Sequence, residues 1–437
     1  MTFMPSINGT RLACRLDAFA AIGATSEGGV DRQALTQGDR QARAAIAEIA
    51  LARGFEVFQD AAANLFVRRA GRSPGNPPFL IGSHLDTQPT GGRFDGALGV
   101  LTALEVLESL EDMGIETDAP VELAVWTNEE GCRFAPGSMG AQAFVNRTLS
   151  DALLASRATD GALLSAELAA TLASLPRARM RPLGQSIAGY IELHIEQAPH
   201  LEQEGIPIGV VTGVQGARWL QVRVSGDAGH AGTTPLSARR DPMRAAVAAL
   251  SRLYDTIMPG DADARFTVGR IAVEPGSVNA IPSAVVFYID IRHPELRELD
   301  AIETWIAATL RRAAGEAGCT VAIDRIFDME PARFDETLLR CIEASAEARN
   351  TASRRIVSGA FHDALFISRI APTAMIFVPC RDGVSHNARE FVEPNLCVTG
   401  ADILLHSTLR AMEVPMAKAE LDGKPTAIRS NHKGVGT

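Results

Sequence analysis

The sequence has no run rich in lysine and arginine, and its acidic residues outnumber its basic residues by 52 to 42. The resulting formal net charge of −10 disfavours nucleic acid or an anionic membrane as a partner. No uncharged apolar stretch approaches the ~18 residues that a membrane span needs, and no basic segment followed by an apolar one begins the chain. We therefore expect a cytoplasmic protein that binds neither membrane nor nucleic acid.

Phosphate-binding loops and a disulfide framework are also missing. The six cysteines are scattered over 437 residues without a C-x-x-C pair, so reduced thiols are expected. The patterns G-x-G-x-x-G and G-x-x-x-x-G-K-S/T do not occur. One G-x-S-x-G pattern, Gly71–Gly75, is followed by prolines and a strand instead of a helix, which argues against a serine nucleophile.

Apolar periodicity predicts the fold class. Hydrophobic residues make up 46% of the chain, a balance typical of a folded globular protein. Apolar runs at 79–83 and 121–126 predict buried strands with an amphipathic helix, 100–110, between them, which indicates an α/β fold. From about residue 213 the order becomes β-α-β-β-α-β, that of a ferredoxin-like α+β domain.

The predicted organisation is therefore one domain inserted into another. Residues 1–212 and 330–437 form the first domain, and residues 213–329 form the inserted domain.

Histidines and carboxylates follow the predicted strands. His84 and Asp86 are two residues apart and share a face, so the carboxylate can hold one imidazole nitrogen while the other binds a metal. Asp95 follows a loop that contains two glycines, and it adds a carboxylate able to bridge two cations. Such a pair alone is equally typical of a structural contact.

The second acidic segment follows the strand at 121–126. Glu129 and Glu130 repel each other unless a cation or a proton lies between them, which suggests one metal ligand and one general base. An exposed acidic turn is the alternative. His194 lies on an alternating strand and His386 in a loop after a strand at 373–378; alone, each is more typical of a structural histidine.

In order along the chain, these segments resemble the two-metal amidohydrolase branch of the aminoacylase/carboxypeptidase family of metallopeptidases. More narrowly, the N-carbamoyl-L-amino acid hydrolases, β-ureidopropionases and allantoate amidohydrolases are similar in the stretches 83–96, 128–134, 192–197 and 229–235. The likeness runs from about residue 15 to 412. It implies a two-metal exopeptidase-like catalytic domain of α/β type, in which the inserted domain is a lid that also forms a homodimer.

The resemblance implies a set of metal ligands. Two divalent ions (Zn, Mn, Co or Ni) are expected in each subunit, with His84 and His194 on one, Glu130 and His386 on the other, and Asp95 between them. Glu129 is left as the general base, with Asp86 in the catalytic set. His194 stands where the peptidases usually have an aspartate, which favours the carbamoyl-type branch.

Substrate-binding positions are implied as well. Arg292, with Asp290 on the same strand face, is the candidate clamp for an α-carboxylate, and a surface salt bridge is its alternative. His230 matches a residue that reaches the partner subunit's site and helps to hold the oxyanion. The other candidates are Gln197, Asn279, Gly359 and His362. Asn279 has a turn-stabilising alternative, and His362 a helix-capping one.

The implied reaction is hydrolysis of the ureido C–N bond of an N-carbamoyl-L-amino acid, or of N-carbamoyl-β-alanine, to the amino acid, ammonia and CO2. Allantoate amidohydrolase is the closest alternative, because allantoate also presents a urea nitrogen and a carboxylate. An aminoacylase or dipeptidase is a more distant alternative, and an inactive binding protein on the same scaffold is the alternative from another class.

Overall fold

The computed structural model describes residues 4–414, so residues 415–437 at the end of the predicted first domain lie outside it. The helices are α1 (Gly9–Ala20), α2 (Gln37–Ala52), α3 (Ala97–Asp112), α4 (Met139–Asn146), α5 (Asp151–Leu154), α6 (Leu164–Ala173), α7 (His200–Glu204), α8 (Pro242–Gly260), α9 (Leu296–Glu316), α10 (Glu336–Ala348), α11 (Asp363–Ile367) and α12 (Pro394–Glu413). The strands are β1 (Glu56–Gln59), β2 (Leu65–Arg69), β3 (Phe79–His84), β4 (Val121–Trp126), β5 (Arg179–Met180), β6 (Gly189–Ile195), β7 (Ile208–Val214), β8 (Gly216–Ser225), β9 (Gly229–His230), β10 (Arg265–Glu274), β11 (Ala280–Ile281), β12 (Ala284–His293), β13 (Thr320–Met329), β14 (Ala332–Arg333), β15 (Ser353–Ser358) and β16 (Thr373–Val378).

Two compact units make up the described chain. Unit 1 comprises the residues up to Gly213 and those from Arg333 onward, and unit 2 comprises Val214–Ala332. Within residues 4–414, no helix combines the length and apolar character that crossing a bilayer requires.

Unit 1 is built on a ten-stranded mixed sheet with the order β14-β7-β16-β6-β3-β4-β2-β1-β5, and β15 pairs with β7. The neighbours β16, β6, β3 and β4 run parallel. Every residue of these four strands is buried, as their near-continuous apolar runs predict. Because parallel strands end at the same edge of a sheet, the segments that follow these strands meet there.

Unit 2 is an antiparallel sheet with the order β10-β12-β8-β13. Alternate residues of these strands, such as Leu220 and Phe287, form one core with residues of α8 and α9. Helix α8 begins after Asp241, whose Oδ1 accepts the N–H of Met243 at 3.0 Å. The two-residue strands β9 and β11 form a separate ribbon. The order β8-α8-β10-β12-α9-β13 is the one expected for a ferredoxin-like domain.

Candidate active site

The candidate metal ligands of unit 1 come together at the carboxyl edge of the parallel strands. His84 is the last residue of β3, and His194 is the last but one of β6. Glu130 follows β4, and His386 follows β16. Asp95 lies just before α3, which begins at Ala97.

Asp95 lies between the histidines, and its two oxygens face different neighbours. Oδ1 is 3.5 Å from His84 Nε2 and 3.1 Å from His194 Nε2. Oδ2 is 3.4 Å from His386 Nε2, which is 3.5 Å from Glu130 Oε2. The five residues therefore form two groups that share Asp95, and within each group the potential ligand atoms lie within 4.8 Å of one another.

Backbone carbonyls orient two of the imidazoles. His84 Nδ1 is 2.8 Å from the carbonyl oxygen of Asp86, and His194 Nδ1 is 3.0 Å from that of Ile195. A carbonyl only accepts, so each Nδ1 carries a proton, and in the neutral ring each Nε2 presents a lone pair toward Asp95. This is the tautomer that a metal ligand needs.

The prediction that the Asp86 carboxylate holds His84 is wrong. Strand β3 ends at His84, so the two-residue alternation no longer applies at Asp86, and its carboxylate turns toward the loop after β4. There it accepts the backbone N–H groups of Glu129 at 3.3 Å and Glu130 at 3.2 Å. Asp86 thus holds the turn that carries the two glutamates.

Glu129 and Glu130 carry their charge in unfavourable surroundings. Burial, together with the nearby charges of Asp363 and Glu130, raises the pKa of Glu129 well above its usual range, and Glu129 Oε2 lies 3.6 Å from His84 Nε2. Burial and the charge of Asp95 raise the pKa of Glu130 to about 7. A cation or a proton between these groups relieves the repulsion.

Asp95 shows the opposite shift. Burial raises its pKa, but hydrogen bonds from the protonated rings of His194, His386 and His84 outweigh burial and bring the pKa well below the usual range. In return, the hydrogen bond to Asp95 raises the pKa of His386 to about 9. The bridging position is therefore one where positive charge is strongly favoured.

Further polar side chains support these groups. Gln197, a predicted substrate-binding residue, donates from Nε2 to Asp95 Oδ2 at 2.9 Å, and its buried Oε1 has no hydrogen-bond partner among the described residues. Sequence reasoning missed Gln88, which donates to Glu130 Oε2 at 2.8 Å. It also missed Glu390, which accepts the N–H groups of Phe94 and Asp95; its only signal was a carboxylate four residues after His386.

His362 lies beside His194, with ring centroids 4.6 Å apart. Its Nε2 is 3.0 Å from Ser358 Oγ, and burial together with the positive charge of His194 lowers its pKa well below the usual range. His362 occupies the N-cap position of α11 but its side chain makes no capping hydrogen bond, so the capping alternative is wrong. Gly359 lies between β15 and α11.

A third group, Glu192, His194 and His362, also has atoms at metal-ligand spacing. Its carboxylate is already engaged, because Glu192 accepts the Ser83 hydroxyl at 2.7 Å and the N–H of Ala364 at 3.1 Å. We therefore interpret this third group as a structural one that supports the two groups sharing Asp95.

In unit 2, the structure brings His230 and Asn279 together, since His230 on β9 pairs with Ala280 on β11. His230 Nδ1 accepts the N–H groups of Gly232 at 3.1 Å and Thr233 at 3.2 Å. The proton of the neutral ring is therefore on Nε2, which becomes a hydrogen-bond donor. Asn279 Oδ1 accepts the Ser277 hydroxyl at 2.8 Å, a turn contact of the kind that its alternative interpretation expects.

Arg292 lies on β12 and contacts Asp290 on the same face of the strand. Its Nη2 is 3.0 Å from Asp290 Oδ2, and its Nε is 3.2 Å from Oδ1. The salt bridge of the alternative interpretation is thus present, with the Arg292 side chain 31% exposed.

Histidine and carboxylate groups at the ends of the parallel strands thus form a candidate metal centre on an α/β sheet, as in a metal-dependent enzyme. Residues 80–410 match the family model described as Peptidase family M20/M25/M40, and the chain belongs to this family.

Within the family, the carbamoylases are similar over nearly the whole chain. An N-carbamoyl-L-amino-acid amidohydrolase of Rhizobium meliloti is 36% identical, over 93% of this chain and 97% of its own. An allantoate amidohydrolase of Bacillus subtilis is 32% identical, over 86% of this chain and 91% of its own. The solved structure of a hydantoinase/carbamoylase family amidase from Burkholderia multivorans matches with a TM-score of 0.87 and 40% identity, over 94% and 99%. The predicted resemblance is confirmed.

Proposed function

We propose that this protein is a metal-dependent amidohydrolase that cleaves the ureido C–N bond of N-carbamoyl-L-amino acids or N-carbamoyl-β-alanine, releasing the amino acid, ammonia and CO2. The observation that carries the proposal is the carboxylate of Asp95, which is shared by two groups of potential ligands. Similarity to curated N-carbamoyl-L-amino-acid amidohydrolases supports the choice of substrate class.

The donor set fits two divalent ions. We assign His84 and His194 to one ion, Glu130 and His386 to the other, and Asp95 to both. Inward-facing imidazole nitrogens and carboxylate oxygens suit Zn, Mn, Co or Ni. When bound, such ions polarise a carbonyl oxygen and lower the pKa of water.

Glu129 belongs to neither group and is the proposed general base. Its raised pKa suits a carboxylate that takes a proton from the attacking water and returns it to the leaving nitrogen. Asp86 contributes by holding the backbone of the Glu129–Glu130 turn.

The remaining candidates would recognise the substrate. Arg292 would exchange part of its contact with Asp290 for a bidentate contact with the substrate carboxylate. His230 of the partner subunit would donate from Nε2 to the oxygen that becomes negative, which requires a homodimer. Asn279, Gln197, Gly359 and His362 would line the ureido group. In this proposal unit 1 is the catalytic domain, unit 2 is the lid and dimerisation domain, and the enzyme acts in the cytoplasm.

The test is ammonia release by the purified protein, supplied with Mn²⁺ or Zn²⁺, from a panel of N-carbamoyl-L-amino acids, N-carbamoyl-β-alanine and allantoate. We expect release from a carbamoyl compound that stops after EDTA treatment and returns with metal. Release from allantoate alone would replace the proposed substrate on the same site. If no ureido compound releases ammonia but N-acyl amino acids are hydrolysed, the protein would instead be an aminoacylase. Stoichiometric metal binding without any turnover would indicate a binding protein.

A further inference from the structure

Glu390 links the two loops that carry Asp95 and His386 through contacts that do not involve the proposed metal ligands' side chains. One loop precedes α3 and carries Asp95, and the other follows β16 and carries His386. Glu390 Oε1 accepts the backbone N–H groups of Phe94 at 2.8 Å and Asp95 at 3.0 Å, although 295 positions separate Glu390 from Asp95. One carboxylate oxygen thus holds two consecutive amides of the Asp95 loop.

The other oxygen of Glu390 lies near the second loop. Ser385 Oγ is 3.3 Å from Glu390 Oε2 and 2.7 Å from Asp95 Oδ2, so its single proton goes to Asp95. The Glu390 side chain is buried, and no arginine within the described residues forms an ion pair with it. Its hydrogen-bond contacts are therefore two backbone amides and one nearby hydroxyl, while the charged groups of Asp95, His194 and His386 lie close enough to interact with it electrostatically.

His386 needs support from its loop. Its φ of +54° lies in the left-handed region, which is unfavourable for a residue with a side chain. The turn that follows closes on itself, because the N–H of Glu390 donates to the carbonyl of Asn387 at 3.0 Å. Glu390 therefore ends the His386 turn and contacts the Asp95 loop at the same time.

Gly92 shows how closely the Asp95 loop fits this carboxylate. The three atoms nearest to a Cβ added at Gly92 all belong to the Glu390 carboxyl group, at 2.1 to 2.4 Å. The φ of Gly92 is outside the left-handed region, so the glycine is required by the close approach and not by backbone conformation.

We infer that Glu390 is a positioning residue whose carboxylate holds the Asp95 and His386 loops at the separation that metal binding requires. It acts through Asp95 and His386 and touches neither the substrate nor the metal. The inference rests on the proposed function, because it takes Asp95 and His386 as ligands. It assigns to Glu390 a geometric effect that is separate from the effect of its negative charge.

The experiment is a competition titration of metal-free protein with Zn²⁺ against a chromophoric chelator, for the wild type and for Glu390→Ala, Glu390→Gln and Gly92→Ala. Both Glu390 variants lose the charge, but glutamine keeps an oxygen that accepts the two amides. We expect Glu390→Ala to bind Zn²⁺ about 10–100-fold more weakly than Glu390→Gln, the range for losing an outer contact of a metal ligand. Equal losses in the two variants would overturn the inference, because charge alone would then explain them.

Gly92→Ala keeps the charge and displaces the carboxylate. We expect it to weaken Zn²⁺ binding in the wild type and to have a much smaller effect in the Glu390→Ala background, where the colliding group is absent. Equal effects in both backgrounds would contradict the inference. If Glu390→Ala does not fold, the single variant Gly92→Ala still tests the inference, because unchanged Zn²⁺ affinity in that variant would contradict it.

Asp335→Ala is the matched control, since it removes another carboxylate-to-amide contact, the 3.0 Å cap of Leu338 at the start of α10. It should lower thermal stability without changing Zn²⁺ affinity. A wild type that binds neither Zn²⁺ nor Mn²⁺, Co²⁺ or Ni²⁺ would refute the proposed function itself. A wild type that binds, together with variants that bind equally well, would refute only the role of Glu390.

Discussion

The acidic residues of the candidate site in unit 1 and those of unit 2 lie in contrasting surroundings. In unit 2, Glu303 and Asp328 pair with Arg218, and Glu274 pairs with Arg223, with these acids 21%, 33% and 48% exposed. In unit 1, Asp95, Glu129 and Glu130 are nearly buried, and no arginine of the described chain forms an ion pair with them.

The contrast separates two uses of charge. An exposed pair such as Arg223–Glu274 contributes little to stability because water and salt screen it. Buried carboxylates without a cationic partner cost free energy, so their presence at one sheet edge indicates a binding or catalytic use. Four predictions test this contrast, and the largest effect comes first.

Changing Glu129→Gln should abolish most turnover while both metals stay bound. Loss of a general base typically lowers kcat by roughly 10²–10⁴-fold. The measurement is kcat for ammonia release together with metal content after dialysis. Glu130→Gln is the matched change one residue away, and it should lose metal. Near-full activity of the Glu129 variant would show that another group takes the proton.

Changing Arg32→Met should destabilise unit 1, by about 1–3 kcal/mol for each buried carbonyl that loses its donor. The buried guanidinium donates from Nε to the carbonyl of Leu85 at 2.8 Å, and from Nη1 to those of Phe19 at 2.8 Å and Ile22 at 2.9 Å. Methionine would leave all three carbonyls without this donor. Urea unfolding followed by circular dichroism measures the loss. An unchanged midpoint would mean that water replaces the guanidinium.

Metal removal should make the stability of the protein depend on pH. The pKa of His386 rises from 6.5 to about 9 in the folded protein, so its stabilising contribution is complete below 6.5 and is lost as pH rises toward 9. Glu130 and Glu390, raised from 4.5 to about 7, lose their contributions over a lower range in the same direction.

The melting temperature of the EDTA-treated protein should therefore fall between pH 7 and pH 9. Metal-loaded protein should change less, because the cation takes the place of the protons and metal binding strengthens as they leave. Differential scanning fluorimetry at both pH values, with and without Mn²⁺, gives the comparison. Parallel falls in the two samples would place the titrating groups outside the metal groups.

The sequence predicts where the candidate site lies, but it does not predict which residues hold the site's loops in place. His84, Glu129 and Glu130 are identifiable because apolar runs mark buried strands, and functional groups follow the ends of parallel strands. Asp86 is misjudged because strand alternation stops at His84. Arg32 and Glu390 are hard to identify from local sequence, because each has a partner far along the chain: Leu85 lies 53 positions from Arg32, and Asp95 lies 295 positions from Glu390.

The two units also differ in how much of their fold the sequence predicts. The strands of unit 2 alternate inward and outward residues, so its element order follows from periodicity alone. The central strands of unit 1 are buried on both faces, so all of them are near-continuous apolar runs. The hydrophobic pattern therefore does not predict the order of these strands in the sheet. Strand β16 lies beside β6 although more than 170 residues separate them. Which strands become neighbours in this sheet is determined by the packing of the whole unit.

The smallest effect should come from Arg223→Met in unit 2. Arg223 and Glu274 are 46% and 48% exposed, and each shifts the pKa of the other toward its charged form. Because the pair lies in solvent, we expect no measurable change in the urea midpoint, in contrast to Arg32→Met. Repeating the measurement at high salt should leave both proteins equal. A loss comparable to that of the Arg32 variant would show that this pair is covered in solution, and the contrast between the units would then reflect association instead of burial within the chain.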